Sequence, residues 1–178
     1  NSAEVSKVME ICHAAQVGVI PLGGGTGLTG GRSLEIGALP VLLSLERMSA
    51  IRAVDATANT MVADAGAILQ NVQTAAEVED RLFPLSLASQ GSAQIGGLIA
   101  TNAGGVNVLR HGTMGQLVLG LEAVLADGTV INRTGRLRKD NTGYQLDRLM
   151  IGAEGTLGVI TRARLMLVPE DREKTTLL

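Results

Sequence analysis

Residues 21 to 31 read Pro-Leu-Gly-Gly-Gly-Thr-Gly-Leu-Thr-Gly-Gly, and six of these eleven positions are glycine. Glycine takes φ > 0 without steric cost and lets another molecule approach the main chain, so successive N–H groups can converge into a concave nest for an anion. The chemistry this points to is capture of a phosphate or pyrophosphate by backbone. Two further segments have the same character. Gly91-Ser-Ala-Gln-Ile-Gly-Gly-Leu-Ile-Ala-Thr-Asn-Ala-Gly-Gly105 offers backbone donors along a helical turn, with Thr101 and Asn102 as polar handles. Ile151-Gly-Ala-Glu-Gly-Thr-Leu-Gly-Val-Ile-Thr161 places Glu154 in a tight turn before a strand. One such segment alone would be read as a tight backbone crossing in the core. Three, spread over most of the chain, point to one extended ligand lying across the domain.

Two familiar phosphate loops are disfavoured. Gly25-Thr-Gly-Leu-Thr-Gly30 is a literal G-x-G-x-x-G with Glu46 further on, but a dinucleotide-binding Rossmann unit needs a helix directly after the glycines. Gly37 and Pro40 leave no room for one. A Walker A loop fails because no Lys-Ser/Thr follows. Cys12 is the single cysteine and falls on a stripe with Val5, Val8 and Met9, which reads as a helix-core thiol. His13 and His111 stand far apart, so neither a metal centre nor a catalytic residue is expected within this chain.

With 15 basic and 17 acidic residues, one Tyr, one Phe and no Trp, the chain has neither the basic footprint nor the stacking platforms of a nucleic-acid binder. The long uncharged stretch from Leu82 to Leu109 is broken by Pro84, Gln90, Gln94, Asn102 and five glycines, so it does not read as a membrane span. No secretory pattern opens the chain. The resulting expectation is a cytoplasmic protein, with membrane association arising only through partners.

The elements that must position the glycine segments follow from periodicity. Asn1 and Glu4 form a capping-box pattern ahead of an amphipathic helix that Gly18 should end. Val17 to Leu22 reads as a short buried strand, Pro40 to Leu45 as a second, and Ile51 to Asp55 with Thr60 to Ala65 as a hairpin. Gly66 opens a helix over Ile68 to Val78. Leu119 to Leu125 alternates and meets Thr129 to Asn132 across Asp127-Gly128, a type I′ turn signal. Asp140 to Gly143 reads as a turn and Leu146 to Met150 as a short helix. Val159 to Leu167 is a long strand with one wetter face, ended by Pro169, with a charged exit over Glu170 to Lys174. The pattern predicts an α+β fold in which a small β-α-β lobe, about 1–65, packs on a larger, mainly antiparallel sheet flanked by helices, about 66–178.

These segments, together with Leu119-Gly-Leu-Glu-Ala-Val-Leu-Ala-Asp-Gly128 and Leu137-Arg-Lys-Asp-Asn-Thr-Gly-Tyr144, resemble in order the FAD-binding domain of vanillyl-alcohol oxidase and p-cresol methylhydroxylase (PCMH) type flavoproteins. The similar branch holds D-lactate dehydrogenase, D-2-hydroxyglutarate dehydrogenase and the glycolate oxidase FAD subunit. The resemblance implies that Gly23, Gly24, Gly25, Thr26, Gly27 and Leu28 cradle the FAD pyrophosphate. It also implies that Pro84 and Gly91, Ser92, Ile95, Gly96, Gly97, Ala100, Thr101, Asn102, Ala103 and Gly104 run along the ribityl chain and flavin ring. Glu154, Gly155, Gly158, Val159 and Ile160 would line the rest of the groove. Members that bind flavin covalently often carry His where this chain has Thr26, which implies dissociable, non-covalent FAD. The family commonly has Arg where this chain has Leu22 and Tyr where it has His111. The substrate Arg, the catalytic His and, in some members, a divalent metal come from a substrate domain that would begin beyond Leu178. The expectation is therefore an FAD-binding fragment of a 2-hydroxyacid dehydrogenase or oxidase that does not turn over substrate alone. A non-catalytic assembly subunit remains the alternative, and a homodimer or an electron-transfer subunit are the partners left open.

Overall fold

The structure is a computed structural model that describes residues 1–31, 39–135 and 142–170. Helix α1, Ser2–Ala14, starts where the sequence says it should. The Asn1 side chain accepts from the Glu4 N–H at 3.1 Å, and the Glu4 carboxylate accepts from the chain's first amine at 2.6 Å. That ammonium holds the Glu4 carboxyl below its ordinary value. Val5, Met9 and Cys12 form the buried face. The helix does not run to Gly18. Gln16, at φ 54°, makes the left-handed turn and closes it two residues earlier.

Strand β1, Val19–Leu22, pairs in parallel with β2, Val41–Ser44, as a two-stranded sheet. Neither is buried as expected: all four residues of β1 are half-buried and three of the four in β2 are exposed. The main sheet has five antiparallel strands in the order β3-β4-β8-β6-β7: Ile51–Asp55, Thr60–Asp64, Val159–Met166, Val118–Val124 and Val130–Asn132. Helices α2 (Leu69–Glu77), α3 (Ile95–Ala100), α4 (Val108–His111) and α5 (Met114–Leu117) lie between β4 and β6 in sequence. Short β5, Arg81–Leu82, pairs with β9, Val168–Pro169. A 3-10 turn, Leu146–Met150, stands where a short helix was expected. Phe83, Met61, Leu69, Ile99, Leu121 and Leu165 are among the fully buried side chains between helices and sheet. No helix among the described residues is long and apolar enough to cross a membrane.

Three expectations change. The division near residue 65 does not coincide with the sheets, because β3 and β4, placed in the first lobe, pair with β8 of the second. The β6–β7 connection is not type I′. Gly128 has φ 87°, but Asp127 is not in the positive-φ region. The Gly128 N–H reaches the Leu125 carbonyl at 3.0 Å, giving a three-residue loop with a glycine bulge. Strand β6 does not alternate, since six of its seven residues are buried beneath elements on both faces. The expected turn at Asp140 and Asn141 and the charged exit beyond Glu170 lie outside the described residues.

Charge buried in the sheet is paired. Asp64 accepts from Arg52 at 2.7 and 2.8 Å and from Arg162 at 3.0 Å. That carboxylate raises the Arg52 guanidinium above its ordinary value. Glu122 accepts from Arg162 at 3.3 Å, Asn132 at 2.7 Å, Thr161 at 2.8 Å and Ser2, which ties α1 to the sheet.

Candidate functional site

The three glycine segments converge because each contains positions where backbone touches backbone. A Cβ on Gly24 would lie 1.8 Å from the Ser92 carbonyl oxygen, so residues 23–25 lie flat against the chain entering α3, which only glycine permits. A Cβ on Gly23 would stand 3.7 Å from Gly97 Cα. Gly96 seats α3 on the sheet, since a Cβ there would approach the Ala65 Cβ to 2.7 Å while its N–H donates to the Ala65 carbonyl at 2.7 Å. The third segment docks on the far end of the same helix. The Gly152 N–H donates to the Ile99 carbonyl at 3.1 Å and the Glu154 N–H to the Ala100 carbonyl at 2.9 Å, satisfying terminal carbonyls of α3. Glu154 takes the left-handed turn at φ 51° that the sequence suggested.

Between these walls lies a cleft of about 450 Å³. Of the residues singled out in sequence, Gly23, Gly24, Gly25, Thr26, Gly27, Gly96, Gly97, Ala100, Thr101, Glu154, Gly155, Gly158 and Ile160 line it. Others do not. Ile95 and Val159 point into the core, at 0% and 1% exposure. Leu28 is 99% exposed and stands clear of the cleft. Asn102 spends its side-chain oxygen on the Gly115 N–H at 2.9 Å, and buried Pro84 offers its carbonyl to Asn107 at 3.0 Å. Gly91, Ser92, Ala103 and Gly104 also stand outside the lining. Thr101 lines the cleft, but its hydroxyl donates back to the Gly97 carbonyl at 2.9 Å. Neither His13 nor His111 faces it.

The sequence reading missed Leu45, Ala65, Gln94, Leu98 and Met150, which complete the walls. Four of them are ordinary apolar residues and carry no signal of a ligand. Gln94 had a signal, a polar side chain within an otherwise small and apolar run.

Chemically the cleft is a backbone site. Glu154 is the one ionisable side chain among its lining residues. No group among the described residues accepts from the N–H groups of residues 23–31. The N–H groups of residues 23–26 are half-buried, and without partners they carry a desolvation cost that an oxyanion relieves, so they suit a phosphate. A Cβ on Gly97 would meet nothing within 4 Å, so that glycine leaves a flat opening on the α3 wall. The Gln94 Oε1 atom is buried and unpaired. Anion-binding backbone at one end and a flat, largely apolar wall with one spare polar atom at the other fit a ligand with a charged middle and a planar, weakly polar head. No group of three His, Cys, Asp or Glu able to hold a metal ion occurs among the described residues.

The model of the family described as "FAD binding domain" matches residues 1–134. The chain is 41% identical over 174 residues to "D-2-hydroxyglutarate dehydrogenase, mitochondrial" of Arabidopsis thaliana, covering 96% of this chain and 30% of that protein. It is 43% identical over 167 residues to the protein of the same name from Bos taurus, covering 94% and 30%. A solved alkyldihydroxyacetonephosphate synthase superposes with a TM-score of 0.84 at 20% identity, over 96% of this chain and 30% of that one, which shows a shared fold. The α+β, PCMH-type architecture expected from the sequence is the one found. The chain spans about 30% of the length of the curated relatives it matches. The expectation of a cytoplasmic protein is overturned, since both dehydrogenases are named mitochondrial. Composition and the missing secretory pattern carried no information about that compartment.

Proposed function

We propose a function from one premise: the chain belongs to the FAD-binding domain family. It is the cofactor-binding part of a flavin-dependent dehydrogenase that oxidises a 2-hydroxy acid of the D-2-hydroxyglutarate or D-lactate class to the 2-oxo acid. The observation that carries the reading is the loop over residues 23–27, whose N–H groups find no acceptor among the described residues and face a cleft that no described basic side chain lines. Gly23 to Gly27 hold the pyrophosphate, Gly96, Gly97, Ala100 and Thr101 form the wall beside the ribityl chain and ring, and Glu154 to Ile160 close the groove. FAD, when bound, supplies the acceptor for the hydride equivalent leaving the substrate carbon. This chain's part is to hold the cofactor's anionic middle and exclude water from its planar head. Thr26 offers no imidazole, so the flavin is dissociable. The groups that take the hydroxyl proton and bind the carboxylate come from a substrate domain outside residues 1–178, and the chain's protein partner is a second copy of itself or an electron-transfer subunit, the latter receiving the electrons.

The test is reconstitution. The chain is mixed with FAD, freed of excess by gel filtration, and precipitated with acid. Flavin absorption that co-elutes with the chain and then passes into the acid supernatant is the expected result. A colourless chain overturns the cofactor reading, and flavin retained in the pellet overturns the non-covalent one. D-2-hydroxyglutarate, D-lactate and glycolate, assayed with an artificial acceptor, should give no turnover from the chain alone; robust turnover would refute the placement of the substrate groups elsewhere.

A further inference from the structure

Gln94 occupies the position just before α3, where a side-chain oxygen ordinarily accepts from an N–H of the first helical turn. It does not. No side-chain capping bond forms, and the Gly97 N–H finds no acceptor among the described residues. The Gln94 Oε1 is fully buried without a partner. It points across the gap between the glycine loop and α3: Oε1 and the Gly97 nitrogen each lie 3.8 Å from the point a Cβ on Gly23 would occupy. A buried carbonyl oxygen left unpaired is destabilising, and an amide side chain has the rotamer freedom to escape to water or to cap its own helix. The residue is part of the cleft lining, so its amide lies at the edge of the space a ligand would fill.

We infer that Gln94 is a specificity residue for the flavin half of the cofactor, its Oε1 accepting a hydrogen bond from a ribityl hydroxyl or from the ring N–H. The inference rests on the FAD reading above. A phosphate cannot satisfy this atom, because phosphate oxygens are acceptors like it. The glycine loop therefore recognises what FAD shares with ADP, and Gln94 recognises what FAD does not share.

The experiment compares the 178-residue chain with its Gln94→Met variant, which keeps the volume and removes the oxygen. FAD, riboflavin, lumiflavin and ADP are titrated by calorimetry, and the ligand-free thermal midpoint is read by circular dichroism. The variant should bind FAD about ten-fold more weakly and bind ADP with affinity changed less than about two-fold. Its ligand-free midpoint should be unchanged or higher, since an unpaired buried oxygen has been removed. A loss shared by lumiflavin, which lacks the ribityl chain, places the donor on the ring; a loss confined to riboflavin places it on the chain. Unchanged FAD affinity, an equal loss for ADP, or a lowered midpoint overturns the assignment and leaves the FAD reading standing. Failure of the wild-type chain to bind FAD overturns both.

Discussion

Gly96 and Gly97 are neighbours in one short helix, and the structure predicts that the same substitution at the two will have opposite effects on stability. Alanine in a helix interior is favoured over glycine by about 1 kcal/mol, and both sites start with that gain. At Gly96 the new Cβ would stand 2.7 Å from the Ala65 Cβ and 3.2 Å from the Ala65 oxygen. Ala65 cannot yield, because its N–H is bonded to the Thr161 carbonyl at 2.9 Å and its own carbonyl receives the Gly96 N–H. Overpacking of this kind costs about 1–3 kcal/mol, so Gly96→Ala should be destabilising by about 1 kcal/mol net. At Gly97 the Cβ meets nothing within 4 Å, so the helical gain is kept. For a chain of this length 1 kcal/mol moves the thermal midpoint by about 2–4 °C, which separates the two variants by about 4–8 °C. The assay is ligand-free thermal denaturation of both variants beside the wild type, followed by FAD titration. Gly97→Ala puts its methyl group into the cleft and should weaken FAD binding about ten-fold or more while raising the midpoint. Midpoints that move in the same direction, or a Gly97→Ala chain with wild-type FAD affinity, would refute the assignment of one glycine to packing and the other to the ligand.

Other outcomes follow from the charges. Glu122→Ala removes the acceptor for Arg162, Asn132, Thr161 and Ser2, and should lower the midpoint by about 6–12 °C, the equivalent of about 3 kcal/mol; a fall under about 2 °C would show the network to be dispensable. Because no Lys or Arg among the described residues lines the cleft, FAD affinity should change less than about three-fold between about 50 and 500 mM salt, whereas a site built on cationic side chains would weaken far more over that range. The Asp127 carboxylate is held below its ordinary value by the Thr129 N–H at 2.9 Å. Its contribution is present above the ordinary aspartate range, near pH 4, and is lost as pH falls through the lowered value. Asp127→Asn should therefore narrow the difference in midpoint between pH 7 and pH 3, measured by thermal melts at both; an unchanged difference would contradict the assignment.

Local signals were legible where a few adjacent residues decide the outcome. The Asn1–Glu4 capping box and both hairpins lie where the sequence puts them, and the long strand starts at Val159 as expected but ends at Met166. The turn type at Asp127-Gly128 was not legible, since one positive-φ glycine serves either of two loop lengths. Of the candidate site, the three glycine runs were legible as a set, but not which glycines face the ligand. Gly96 and Gly97 are indistinguishable in sequence and both line the cleft, but about a hundred degrees of helical rotation turns the Cβ position of the first onto Ala65 and that of the second into open space. Asn102 looked like a ligand contact and is instead consumed by the Gly115 N–H, a partner thirteen residues away. The two-sided burial of β6 was not legible in its alternating sequence, because α1 and the 3-10 turn that pack on it come from remote parts of the chain.

Strand β8 sits in the middle of the sheet and is the last long strand among the described residues. The β3–β4 and β6–β7 hairpins each form locally, but each keeps one unpaired edge until Val159–Met166 enters between them. During synthesis, both edges must wait for Val159–Met166 to emerge. Assembly is therefore governed by the closing of long loops and is intrinsically slow, and the waiting edges are the surfaces on which a nascent chain would meet its neighbours.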